Sequence, residues 1–144
     1  MKHYFTPIFT VALAAFCGCQ SSDLYDSLPD PIENFISKYW PNPAIEQFSI
    51  NPDGGYTVTV KNSITATFDS QYSWTDVNGD GIPLPQMFLS DCLPSKLYDY
   101  LESGEYTGQV FEVKRSATAY EVTLLTGSLN YSTIDDEITG SQKP

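Results

Sequence analysis

Histidine is almost absent from this chain: His3 is the only one in 144 residues. Basic residues are scarce too, seven against 18 acidic, for a formal net charge of −11. A chain so acidic repels phosphate backbones and anionic headgroups, which argues against nucleic-acid binding. Its only adjacent basic pair is Lys114-Arg115. Cysteine is limited to Cys17, Cys19 and Cys92. No apolar run approaches the roughly 20 residues that a helix needs to cross a bilayer. A glycine-rich phosphate loop is also missing.

What is present is globular in character, with 41% hydrophobic and 14% aromatic residues. The first residues follow a different pattern. Lys2 and His3 precede a mostly apolar stretch from Tyr4 to Phe16, followed by small residues and then Gln20-Ser21-Ser22-Asp23. That order is expected of a secretory signal over residues 1–18. Within "FCGC", Gly18 before Cys19 resembles a bacterial lipoprotein signal, in which a small residue precedes the cysteine that becomes the lipidated N-terminus. Cys19 is therefore the expected lipid attachment and gives the chain a membrane contact. Phe16 departs from that motif, and an ordinary cut after Ala12-Leu13-Ala14 is the competing expectation. Either cut removes His3, and with it any histidine base, histidine-assisted nucleophile or histidine-ligated metal. Lipidation of Cys19 would leave Cys92 alone, with no intramolecular disulfide. A lone cysteine beside Leu93 reads as a small core hydrophobe, because a reactive thiol needs a basic neighbour and only Lys96 is near.

Residues 19–27 read as a polar tether. Then Ile32, Phe35, Ile36, Tyr39 and Trp40 form one helical stripe, with Ser27 or Asp30 as cap candidates and Pro41 and Pro43 as the stop. The period then changes to two. "YTVTV" sets Tyr56, Val58 and Val60 against Thr57 and Thr59, and "ITATF" sets Ile64, Ala66 and Phe68 against Thr65 and Thr67. With "AIEQFSI" before them and "YSW" after, Ile45 to Val77 reads as a four-stranded antiparallel meander under the helix.

The second half restates the first. Leu28, Pro29, Ile32, Phe35 and Ile36 recur 65 residues on as Leu93, Pro94, Leu97, Tyr100 and Leu101, and Ile45 and Phe48 recur as Val110 and Val113. Tyr56-Thr57-Val58 and Val60 recur 64 residues on as Tyr120-Glu121-Val122 and Leu124. The expected organisation is a first repeat at 28–78, a linker at 79–92, a second repeat at 93–140 and a tail at 141–144. Met87, Phe88 and Leu89 are too apolar for a free linker, so a packed helical turn is expected there.

Leu-Pro, amphipathic helix, breaker, then a tyrosine-containing meander, used twice and with "FDSQYSW" closing the first copy, resembles the beta-lactamase-inhibitor-like, PepSY-like family of exported bacterial envelope proteins. The resemblance covers about residues 28 to 140. It implies an α+β fold of two tandem repeats, each with an amphipathic helix on one face of an antiparallel four-stranded sheet. It also implies a style of function, gripping a partner with a sheet face. The family's inhibitors carry disulfides and this chain does not, so a lactamase target is not implied.

Two constellations bear on chemistry. "DVNGDG" mimics a calcium-loop opening with Asp76, Asn78, Asp80 and Gly81, but the closing glutamate position is Met87. A polar hinge is the expectation, with no metal and no cofactor. Asp135-Asp136-Glu137 is an acidic triplet in turn material, expected to face water. The expected function is therefore non-catalytic: an envelope-anchored module binding a protein or peptide through Thr57, Thr59, Thr65 and Thr67, with Tyr72 or Tyr106 as aromatic anchor. The alternative is carbohydrate binding through surface aromatics, which turns on where Trp40, Trp74 and the tyrosines point.

Overall fold

The structure is a computed structural model that describes residue 25 and residues 27–142. The expected signal at 1–18, Cys19 and nearly all of the tether lie outside the described residues, as does the end of the tail. Helix α1 spans Asp30–Tyr39 and is followed by strands β1 (Ile45–Ile50), β2 (Tyr56–Val60), β3 (Thr65–Phe68) and β4 (Trp74–Asn78). Helices α2 (Gln86–Cys92) and α3 (Ser95–Ser103) come next. A short 3-10 turn then leads into β5 (Val110–Arg115), β6 (Ala119–Leu124), β7 (Gly127–Ser132) and β8 (Glu137–Gln142).

This is an α+β fold with one eight-stranded antiparallel sheet in the order β1 to β8. The expected pair of four-stranded sheets is thus one sheet. The reason is physical: β4 and β5 would each leave a row of unpaired backbone groups as edges, and pairing with each other satisfies both. The seam sets Asp76 opposite Lys114, Val77 opposite Val113 and Asn78 opposite Glu112. Gly79 ends β4 hard against the next strand. Its amide donates to the Phe111 carbonyl at 2.7 Å, and a Cβ there would meet the Ile82 carbonyl oxygen at 1.8 Å.

Three bulges explain how residues three apart share one face. In a regular strand, Ile45 and Phe48 would point to opposite sides. The register shifts between Ile45 and Gln47, and both then pack on the core. The same shift between Val110 and Glu112 turns Val110 and Val113 inward. A third shift, in the β3–β4 pairing, does this for Trp74 and Val77.

The core lies between the sheet and the helices. Ile32 and Ile36 of α1, Phe88 and Leu89 of α2, and Leu97 and Leu101 of α3 are all fully buried. They meet Val58, Ala66, Val77, Val113 and Val122 from the sheet, with no buried polar residue among the described ones. The expected turn at 87–89 is α2, and it carries the centre of the core. Phe88 sits 5.4 Å from Trp74, 5.6 Å from Tyr39, 5.8 Å from Trp40 and 6.1 Å from Phe35. The expected side-chain cap of α1 is not made. Pro29 occupies its N-cap, as Pro94 does in α3, and Asp30 and Glu33 meet the helix dipole from the first turn.

Candidate functional site: the open face of the sheet

With the helices on one side, alternation along each strand presents a polar row on the other. Thr57 and Thr59 of β2 pair with Thr67 and Thr65 of β3, so the four candidate threonines share one face. That row continues into β4, where Thr67 faces Asp76 and Thr65 faces Asn78. Farther on, Glu121 opposes Lys114 and Asn130, and Thr123 opposes Ser128. All are polar and none is buried. Two hydroxyls are already engaged: Thr57 donates to Asn51 Oδ1 at 3.0 Å and Thr65 to Asp80 Oδ2 at 2.8 Å.

Tyr72 does not join them. Its ring stacks on Tyr56 at 5.4 Å, and Tyr56 stacks on Phe48 at 5.9 Å, on the side of the sheet that carries the helices. The backbone at Tyr72 is left-handed, with φ 66°, a costly conformation for an aromatic residue. A type-two alternation cannot foresee that, because Tyr72 belongs to the turn that closes on Asp69, whose carboxylate accepts from the amides of Gln71 and Ser73. Tyr106, the other anchor considered, stacks on Tyr100 of α3 at 6.4 Å.

The tryptophans are core residues, 8% exposed at Trp40 and 5% at Trp74. A sugar platform needs a free ring face, and neither tryptophan offers one. The Arg115 guanidinium covers Trp74 at 4.2 Å and donates to its carbonyl at 2.6 Å.

The calcium-like opening is strand rather than loop. Asp76 and Asn78 are paired within β4 on both sides, and Asn78 Oδ1 accepts from the Asp80 amide at 2.8 Å. Among the described residues no group of three or more histidine, cysteine, aspartate or glutamate side chains is arranged to hold a metal ion. What sequence reading missed is the partner of Asp76. Glu112, far along the chain, arrives beside it across the seam. Burial, then the Glu112 charge and hydrogen-bonding contact, push the Asp76 carboxyl up to about 6, with Lys114 opposing and Asp80 adding. Oδ1 of Asp76 is buried without a hydrogen-bond donor. No one-repeat pattern could have found this pair, because it exists only where the two halves join.

Two other acids each have a lysine partner. Asp136, in the triplet expected to face water, accepts from the Tyr131 hydroxyl at 2.8 Å and from Lys96, and both partners hold its carboxyl below the usual range. Asp91 is held low first by Lys38, at 3.0 Å. Cys92 is half-buried, 3.4 Å from the Tyr39 hydroxyl, and burial pushes its thiol up.

The family described as "Putative beta-lactamase-inhibitor-like, PepSY-like" matches residues 19–73 and again residues 54–134. The chain belongs to that family. The two PepSY-like matches overlap over residues 54–73, so they do not part at a boundary between halves. No curated protein matches the chain. Solved structures of similar fold include a "putative periplasmic protein" of the DUF2874 family from Bacteroides vulgatus. It has TM-score 0.67 and 19% identity, over 82% of this chain and 93% of that one. Another is a "putative calcium-regulated periplasmic protein" from Bacteroides thetaiotaomicron, with TM-score 0.68 and 18% identity over 82% and 93%. At such identities the likeness is one of fold.

Proposed function

We propose that this PepSY-like chain is an exported, lipid-anchored binding protein of the cell envelope, non-catalytic, that grips a protein or peptide with the open face of its sheet. The observation that carries the reading is the bare face itself: the helices pack on one side of the sheet, and the other presents polar side chains from β2 to β7. A surface built on paired strands is held rigid before a partner arrives, and short threonine side chains lose little entropy on docking. The family's inhibitor-like description supports a gripping role, and the periplasmic descriptions of the similar structures support export. In this reading residues 1–18 are the signal, Cys19 carries lipid, 19–27 is the tether, and 28–78 and 93–140 are copies of one unit joined by 79–92. The bulges at Ile45/Gln47 and Val110/Glu112, 65 residues apart, support that duplication.

The test is capture from envelope extract on the chain from Gln20 onward, which holds every element of the fold. A partner protein should be retained, and Thr59→Arg with Thr67→Arg should abolish its retention. Ser37→Arg, on α1, should not. Retention that ignores the threonine variants, or no retained protein, would sink the proposal.

A further inference from the structure

Charge on the open face is concentrated at the seam between β4 and β5. Asp76, Asp80, Glu112 and Glu121 stand there with one base, Lys114. Lys114 lies 3.8 Å from Glu112 and sits opposite both Asp76 and Glu121 in the ladder, so one cation serves three carboxylates. Asp91 and Asp136, by contrast, each have a lysine of their own. Like charges adjacent across strands destabilise a sheet, and a buried acceptor with no donor adds a desolvation cost. Burial of Asp76 Oδ1 beside Glu112 carries both penalties.

We propose that the open face docks a basic protein or peptide, and that one arginine or lysine of that partner seats over the seam against the carboxylates of Asp76, Glu112 and Glu121. This rests on the sheet-face reading above and adds the chemistry of the partner. The net negative seam, with Lys114 as its one cation, supplies the charge complementarity on the unpartnered sheet face. The flanking rows of threonine, serine and asparagine hold no apolar anchor, so association is electrostatic and weakens with salt.

Docking is also coupled to protons. Four groups face Asp76: Glu112 and Lys114 from β5, Asp80 from the turn after β4, and the uncharged Thr67 from β3. Its carboxyl titrates near 6 in the free protein, and a seated cation lowers that value. Binding near pH 6 therefore releases protons.

The test titrates the isotope-labelled chain from Gln20 onward with a tri-arginine peptide, followed by amide NMR shifts. Shifts should centre on Asp76–Asn78 and Glu112–Lys114. Asp76→Asn with Glu112→Gln should weaken binding about tenfold, the scale of one lost charge-assisted contact. Asp99→Asn with Glu102→Gln, on α3, should leave it unchanged. Equal binding by the seam variant overturns the proposal. So does a response of the seam amides to calcium chloride alone but not to the peptide, which would make the seam a metal site. An envelope partner that needs the threonines but ignores the seam variant would leave the sheet-face reading standing and remove this one. A partner footprint on the helices would remove both.

Discussion

Asp76 and Glu112 meet across the β4–β5 seam as two acceptors with no donor for Asp76 Oδ1. Two carboxylates in hydrogen-bonding contact share a proton or repel each other. The sheet keeps them adjacent because Val77 and Val113, one residue away on the other face, are fully buried in the core. The seam is therefore held by apolar burial and opposed by its own charges.

A pH dependence follows. Asp76 has a folded value near 6, above its unfolded value of about 4, so folding takes up a proton between them. Its contribution is fully present below about pH 4 and is lost as pH rises through about 6. Asp91, held low by Lys38, and Asp136, held low by the Tyr131 hydroxyl and then Lys96, act oppositely and lose their contribution as pH falls below the carboxylate range. Asp76→Asn should remove the loss on the neutral side and raise stability at about pH 7 by about 1 kcal/mol, allowing for solvent screening. Urea denaturation at about pH 5 and about pH 7 measures it. A variant as pH-sensitive as the parent would show that Asp76 is not the titrating group.

Phe88 joins α2 to α1 and to β4 through four ring contacts. Phe88→Ala should cost about 3–5 kcal/mol, because the rings around the site are tied to separate elements and cannot all collapse inward. Trp74 also contacts Tyr120 of β6, so the cluster spans both halves of the sheet. Tryptophan fluorescence and far-ultraviolet circular dichroism should report the same unfolding midpoint in the parent. Two separated transitions would mean that the halves fold independently.

The helix stripe, the threonine rows and the packed turn at 87–89 were legible in the sequence because each follows a local period. The bulges were half legible. The recurrence of Ile45 and Phe48 as Val110 and Val113 was visible, but a spacing of three in a strand fits one face only once an extra residue is admitted. The single sheet was not legible, since which edges pair is decided between halves rather than within them. Tyr72 escaped for a different reason: a left-handed turn residue obeys neither period, and its ring went to Tyr56.

Arg115 should be needed as arginine. Its guanidinium lies flat enough over Trp74 to stand 4.2 Å from the ring centroid while donating to the Trp74 carbonyl. Lysine keeps the charge but lacks the planar fork that makes both contacts at once. Arg115→Lys should lose about 1 kcal/mol and Arg115→Met somewhat more, since a carbonyl loses its donor as well. Both should change Trp74 emission. Unchanged emission with unchanged stability would show that the stacked geometry is not kept in solution.

In the proposed reading the membrane contact is made through the Cys19 sulfur. A single acyl chain gives only marginal, reversible membrane binding, whereas several chains on one terminus anchor firmly. Among the described residues no helix is long and apolar enough to cross a membrane, and the net charge of −11 opposes adsorption to anionic lipid. Cys19→Ser should therefore move the protein from the membrane pellet to the soluble fraction while leaving its fold intact, since every described element lies beyond residue 24. Labelling with a clickable palmitate analogue should mark the parent and spare the variant. A parent that fractionates as soluble and takes no label would place the cut elsewhere, at Ala12-Leu13-Ala14, and make the chain a free exported protein.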